Sequence, residues 1–368
     1  MQRDMMRTAN ELVKRGHAVE IFAMSWDGEK PQNITVHVLP IKGFLNYRRY
    51  QKFINLTHAQ IKETANFDFI FGYNRMYGLD AHFAADPCFI ERAFSQRSFL
   101  YRLLPRVKWF VECERVIFAK EANTDILMVS ETEKAHFQHW YQTPSERFHY
   151  IPPYLSAERF ALQDKALMRK HLRDTFGFGN NDFVFMLTGS GFHMKGLDRA
   201  IAAISSLPKA YLDYVRLVAV GQDNPKPFQR IAKKLGVAQN LVISKGRPDI
   251  PKLMQGADIC IHPAYRENTG LVILEALACG TPMLVTESCG YAQHVVNANA
   301  GIVVPIPFNQ TAFNQILLTM INSPQKTIWA INGLKYAGQL TVKNDGSAEA
   351  KILIALAERK KLETNNQT

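Results

Sequence analysis

The stretch HPAYRENTGLVILEALACGTPMLV, His262 to Val285, decides how this chain is read. It closes an apolar strand, ICIHPA, and passes through a polar loop at 266–269. It then enters a helix near Gly270 and leaves it at Gly280 and Pro282 for a second apolar strand, PMLVTES. Strand, helix and strand in that order make a parallel crossover unit. Glu267 stands in the loop and Glu275 further along the helix. A carboxylate in so apolar a run is costly to bury unless something pairs with it.

The same alternation extends outward. Upstream and downstream strands read as DFVFMLTG, VRLVAVG, LVISKG and GIVVP, with helices near 194–206, 227–235, 250–255 and 270–279. Nearly continuous Val, Ile, Leu and Phe suits a parallel sheet covered on both faces. A first series precedes it, with a helix at 2–15, a strand at 18–25, and apolar runs ITVHVLP, FDFIFGY and DILMVS. Helical stretches at 50–65 and 131–141 separate these runs, which again implies one parallel sheet. Pro152 and Pro153 mark a connector. The expected domains are 1–152, 153–340, and a C-terminal helix with polar tail at 341–368 that crosses back to the first domain. In such α/β sheets ligands lie beyond the carboxyl ends of the strands, here facing a cleft between two domains.

Composition narrows the partners. Of 368 residues, 47% are apolar and 21% charged, which excludes a disordered chain, and the net charge of +11 calls for an anionic partner. The five cysteines, Cys88, Cys113, Cys260, Cys279 and Cys289, form no C-x-x-C pair and suit a reducing compartment. No stretch reads as a signal peptide, and no apolar run is long enough to span a bilayer. The expectation is a cytosolic protein.

Three chemistries fit the loops. Amides of Thr269, Gly270 and Leu271 at a helix start can cradle a phosphate. Glu267 before them can accept hydrogen bonds from sugar hydroxyls, with a helix cap or a solvated loop charge as its other reading. Glu275 can hold a ribose diol, with an exposed helix face as its other reading. Lys195, at the strand-to-helix junction HMKGLD, can reach toward a diphosphate with Gly196 permitting close approach, or be a solvated first-turn lysine.

Glu267 and Glu275 form an E-x7-E pattern which, with LEALACGTPML, resembles the retaining GT-B glycosyltransferases that use nucleotide-diphosphate sugars. GSGFHMKGLDRAI and KGRPDIPKLMQGADICIHPA precede it in that family's order. GLDAHFAADPCF, FLYRLLPR, YQTPSERFHYIPP, VGQDNPKPF and CGYAQHVVNANAG resemble the lipopolysaccharide core glucosyltransferase I family, over nearly the whole chain. The resemblance implies a GT-B fold of two Rossmann-like domains. It implies transfer of glucose from UDP-glucose to an inner-core heptose, with retention of configuration and no metal or other cofactor. By that pattern Glu267 contacts the donor sugar, Glu275 the ribose and Lys195 the diphosphate. His193 and Met194 stand where the family carries an arginine, and Arg247 is the expected substitute. Asp86 in AADPCF matches an aspartate facing sugar and acceptor, where it could orient or deprotonate the acceptor hydroxyl; a turn-forming residue before Pro87 is the other reading. Asp4 matches the first-helix aspartate of the glycine-rich opening motif, and is otherwise an acid at a helix start.

Residues matching the family's first strand and glycine-rich loop are missing before Asp4. Met1 is therefore expected to be an internal residue of a longer chain, and a version extended upstream to be more stable or more active. The segment 89–118 mixes Arg97, Arg102, Arg106 and Lys108 with Phe99, Tyr101 and Trp109, and Pro105 divides it into two helical pieces. Such a surface suits an anionic membrane interface, as in the related enzymes, and implies a peripheral protein on the inner face of the inner membrane. A core helix pair with a basic face, or nucleic-acid binding, uses the same chemistry, but no nucleic-acid motif accompanies it. The expected partners are thus a nucleotide sugar, the lipopolysaccharide inner core and that membrane. The alternatives are the same fold acting on mannose, galactose or N-acetylglucosamine for another surface glycan, or an inactive membrane-associated homologue.

Overall fold

The structure is a computed structural model that describes residues 2–64, 67–95, 97–156, 158–343 and 346–366. Met1, Ala65 of the expected second helix and the last two tail residues lie outside them. The chain divides into two α/β units, Met1–Pro152 with Asp345–Thr368, and Pro153–Asn344.

The first unit runs α1 (Gln2–Lys14), β1 (Glu20–Ala23), β2 (Thr35–Val38), α2 (Asn46–Thr64), β3 (Phe71–Gly72), β4 (Ala81–Ala84), α3 (Phe89–Ser95), α4 (Phe99–Arg102), α5 (Pro105–Phe118), β5 (Asp125–Met128), α6 (Lys134–Tyr141) and β6 (Phe148–Tyr150). Its strands pair in parallel, but as two sheets, β1-β2 and β3-β4-β5-β6, where the sequence led us to expect one. A parallel sheet continues only where the rows of N–H and C=O groups meet. Phe22 of β1 instead lies edge-on to Phe67, four residues ahead of β3, at 6.1 Å. Sequence reading passed over β4 and β6. Strand β4 carries a histidine, His82, which is buried with Nδ1 3.0 Å from the Gly72 carbonyl oxygen. Burial first, then the nearby Arg75 charge, lowers its pKa to about 3, so it packs as a neutral ring.

The segment 89–118 is three helices, not two. Ser98, in extended conformation, starts α4 and Pro105 occupies the first turn of α5. Holding them is Glu114, fully buried on α5. Its carboxylate accepts from the amides of Phe89 and Ile90 at 2.8 and 2.9 Å, capping the first turn of α3 from another helix. It also accepts from the Tyr141 hydroxyl at 2.9 Å and pairs with Arg75 at 2.8 Å.

The second unit runs α7 (Lys165–Phe176), β7 (Phe183–Thr188), α8 (Leu197–Ser205), α9 (Lys209–Leu212), β8 (Val215–Val220), α10 (Lys226–Lys234), β9 (Leu241–Ser244), α11 (Ile250–Gly256), β10 (Ile259–His262), α12 (Leu271–Ala278), β11 (Met283–Thr286), α13 (Ala292–Ala298), β12 (Gly301–Val304), α14 (Gln310–Asn322) and α15 (Lys326–Lys343). The six strands expected here form one parallel sheet in the order β12-β11-β10-β7-β8-β9. Alternate residues feed opposite faces: Val184 and Met186 pack with Leu274 and Leu277 of α12, Phe185 and Leu187 with Ala200 and Ile204 of α8. Asp164 caps α7 by accepting from the Leu167 amide at 2.7 Å, and Gly177 ends it in the left-handed region.

The strand order reverses between β7 and β10, the switch point where ligands of such sheets bind. The last helix, α16 (Ala348–Asn365), belongs to the first unit. Its Glu349 accepts from the Tyr73 hydroxyl, its Arg359 pairs with Asp125, and its Lys360 pairs with Asp80 at 2.8 Å.

Glu114→Ala is expected to leave Arg75 and two amides without their buried partner, lowering stability by about 3–5 kcal/mol. Urea unfolding of wild type and variant measures this, and a difference near zero would refute the role assigned to Glu114.

Candidate active site

Two loops meet at the switch point, 189–196 after β7 and 263–270 after β10. Glycines shape both. Gly196 has φ 74° and faces the Pro263 carbonyl oxygen, which an added Cβ would approach to 2.0 Å. At Gly189, φ 110°, a Cβ would meet the Lys195 stem at 2.8 Å, so the lysine lies back over this glycine. Backbone hydrogen bonds join the loops, the Tyr265 amide donating to the Met194 carbonyl at 2.9 Å.

The second loop is pinned on several sides. Arg199 of α8 donates to the carbonyls of Pro263 and Ala264 at 3.1 and 3.0 Å. Its guanidinium lies 3.6 Å from the Tyr265 ring centre and 3.8 Å from that of Phe308, a cation between two aromatic faces. Thr286 and Ser288 also donate to the Ala264 carbonyl, at 2.9 and 2.7 Å. The Glu267 amide donates to the Ser288 carbonyl at 3.1 Å, and the Glu267 carbonyl accepts from Gly290 at 3.0 Å.

So held, Glu267 forms an ion pair with Lys195, both largely buried. His262, the last residue of β10 and fully buried, stands behind them with Nε2 3.5 Å from the same Glu267 oxygen. Burial pushes the Glu267 carboxyl up, but His262 and Lys195 together hold it at about 2. Burial lowers the His262 pKa, and Lys195 adds to this against the opposing pull of Glu267, so the ring is neutral. Gly270, φ 79°, precedes α12 at Leu271. This puts the amides of Gly270 and Leu271 and the positive end of α12 three to four residues from Glu267.

The structure thus brings together Lys195, Glu267, Thr269, Gly270 and Leu271. Glu275 is half-buried further along α12, and its charge raises the pKa values of the buried thiols Cys260 and Cys279, after burial itself. Arg247 is engaged elsewhere: its guanidinium donates to both carboxylate oxygens of Asp249, at 2.8 and 2.9 Å. Asp4 and Asp86 lie in the first unit. Asp4 pairs with Arg7 at 3.1 Å, and Asp86 is exposed just after β4, its carbonyl accepting from Arg75 at 3.2 Å. Sequence reading missed His262 and Arg199. A histidine ending an apolar strand and an arginine on a helix carry no local signal of what they face.

In the basic segment Phe99, Leu100, Leu103 and Leu104 are exposed, as are Arg97, Arg106 and Lys108. Tyr101 and Trp109, expected at a surface, are half-buried: Trp109 packs edge-on against Phe110 at 4.9 Å, and the Tyr101 ring lies under Arg97 and Arg106. Arg102 lies over the Phe94 ring at 4.9 Å. Among the described residues no helix is long and apolar enough to cross a membrane, and no three His, Cys, Asp or Glu side chains gather to hold a metal ion.

Comparison with known proteins fits this geometry. The family model for glycosyl transferases group 1 matches residues 168–333, and that for glycosyltransferase family 4 matches residues 1–159. The chain is 37% identical to lipopolysaccharide glucosyltransferase WaaG of Escherichia coli (strain K12), over 92% of this chain and 90% of that one. The crystal structure of WaaG, a glycosyltransferase involved in lipopolysaccharide biosynthesis, superposes with a TM-score of 0.89 at 36% identity, covering 96% and 95% of the two chains. Anabaena Alr3699/HepE, solved in complex with UDP and glucose, shares the fold at 19% identity, with a TM-score of 0.72 and 94% of each chain covered.

Because the Glu267 pKa falls from an ordinary 4.5 to about 2 on folding, its ionisation stabilises the folded state above about pH 4.5 and stops doing so as pH falls toward 2. The difference in urea midpoint between wild type and Glu267→Gln is therefore expected to be level above pH 4.5 and to change steadily below it. A difference independent of pH down to 2 would contradict the assignment.

Proposed function

We propose that this chain, which belongs to the lipopolysaccharide core glucosyltransferase family of GT-B glycosyltransferases, transfers glucose from UDP-glucose to an inner-core heptose with retention of configuration. The observation that carries the reading is the Lys195–Glu267 pair at the switch point of the sheet. In the transfer, the bond between the anomeric carbon and the diphosphate oxygen breaks, a bond to the acceptor oxygen forms, and the acceptor's proton leaves. Negative charge grows on the departing diphosphate, and the Lys195 ammonium with the amides of Thr269, Gly270 and Leu271 offsets it without a metal ion. Glu267 accepts hydrogen bonds from the sugar, and Glu275 from the ribose. Asp86 orients the acceptor hydroxyl, and Asp4 completes the donor side. Arg247 reaches a phosphate only by leaving Asp249.

The acceptor is lipid-linked, and the exposed Phe99, Leu100, Leu103 and Leu104 beside Arg97, Arg106 and Lys108 fit docking on an anionic bilayer from its cytoplasmic side.

Labelled glucose from UDP-glucose is expected to enter lipopolysaccharide truncated at its heptoses, and Glu267→Ala to lower incorporation by about two orders of magnitude or more. No incorporation by wild type, with transfer from another nucleotide sugar, would reassign the donor. The variant Phe99→Ser/Leu100→Ser/Leu103→Ser is expected to lose co-sedimentation with phosphatidylglycerol vesicles while keeping its melting temperature; undiminished binding would remove this surface from the membrane contact.

A further inference from the structure

We propose that His262 is a positioning residue that takes over the Glu267 carboxylate when Lys195 turns from it to the diphosphate of the donor. The inference rests on the donor reading above and adds a residue to it.

His262 is fixed on three counts. It ends β10, pairs in register with Val285 of β11, and is fully buried. Its ring has unspent capacity: Nδ1 has no hydrogen-bond partner among the described residues. Nε2 stands 3.5 Å from the Glu267 oxygen that Lys195 holds, so its hold on the carboxylate is long and has room to shorten. Glu267 is faced by Lys195 from the loop after β7, by His262 from β10, and by the Cys289 thiol from the loop after β11. Of these only Lys195 is positive, and one ammonium cannot neutralise both this carboxylate and a diphosphate. When a diphosphate arrives it draws Lys195 and brings more negative charge beside Glu267. Both changes push the carboxyl toward protonation.

The Glu267 backbone is tied at its N–H and C=O, so the side chain alone can respond. The group in reach is the neutral His262 ring, whose Nε2–H donates to the carboxylate as it settles closer. That bond keeps Glu267 ionised and aimed at the sugar while Lys195 serves the leaving group. Without it, a protonated Glu267 would accept poorly from sugar hydroxyls.

Lys195→Met imitates departure of the ammonium without any ligand. With glutamate side chains labelled with carbon-13, and Glu267 identified by its loss in Glu267→Gln, the carboxyl is expected to titrate about one pH unit or more higher in Lys195→Met/His262→Leu than in Lys195→Met. Equal titration in the two would overturn the proposal. In turnover, His262→Leu is expected to lower kcat about tenfold or more, leave KM for UDP-glucose within about threefold, and move the acid limb of kcat to higher pH. His262→Gln, which keeps an N–H donor, is expected to restore most of the loss. A His262→Gln as impaired as His262→Leu, or an unmoved acid limb, would overturn the proposal in favour of plain packing. His262→Phe, which keeps the ring volume, replaces leucine if that variant does not fold. Should the carboxyl titrate as expected while wild type transfers no glucose, the donor reading falls and the role of His262 stands.

Discussion

The site depends on one close approach. Gly196 lies so near the Pro263 carbonyl that no side chain fits between them. Strands β7 and β10 share only two register pairs, Ile259 with Phe185 and Cys260 with Met186, so beyond them the sheet no longer holds the two loops together. The glycine contact, the Tyr265–Met194 hydrogen bond and the two carbonyls held by Arg199 do so instead. Lys195 is the neighbour of that glycine and Glu267 lies four residues past Pro263. A buried ion pair is weak evidence for stability. Its value here is placement, with opposite charges set side by side at the mouth of the sheet.

The second unit was legible in the sequence because its strands are apolar on both faces and each is followed by a loop with glycine or proline. All six strands are legible, as are α8, α10, α11 and α12, while α7, α9 and α13 are not: α9 is a single turn of four residues and α7 follows directly on the connector prolines. The first unit was harder. Strand β4 contains His82 and β6 is three residues long with His149 at its centre, so neither shows the run of apolar residues by which strands are recognised. The division into two sheets had no signal, because pairing is a long-range property that local pattern does not specify.

The candidate site was legible in part, and for a physical reason. Glu267 and Lys195 are conspicuous because charged residues at strand ends are expected to act. Their partners are not. His262 looks like the tail of an apolar strand and Arg199 like the polar face of an amphipathic helix; their meaning appears only when β10 and α8 are brought beside the loop. Arg247 shows the converse, since it looked free and is held two residues on by Asp249. Glu114 was hidden in the same way, a carboxylate whose partners come from three other stretches of chain.

The last helix has a consequence for how the chain is made. Helix α16 belongs to the first unit, and its Glu349, Arg359 and Lys360 bond to Tyr73, Asp125 and Asp80. During synthesis residues 1–152 of this unit leave the ribosome before α16 and its bonding groups have been made. The second unit, continuous in sequence, has all its strands by then. A stop codon before Ala348 would therefore take bonding partners from the stretch of the protein that was synthesised earlier.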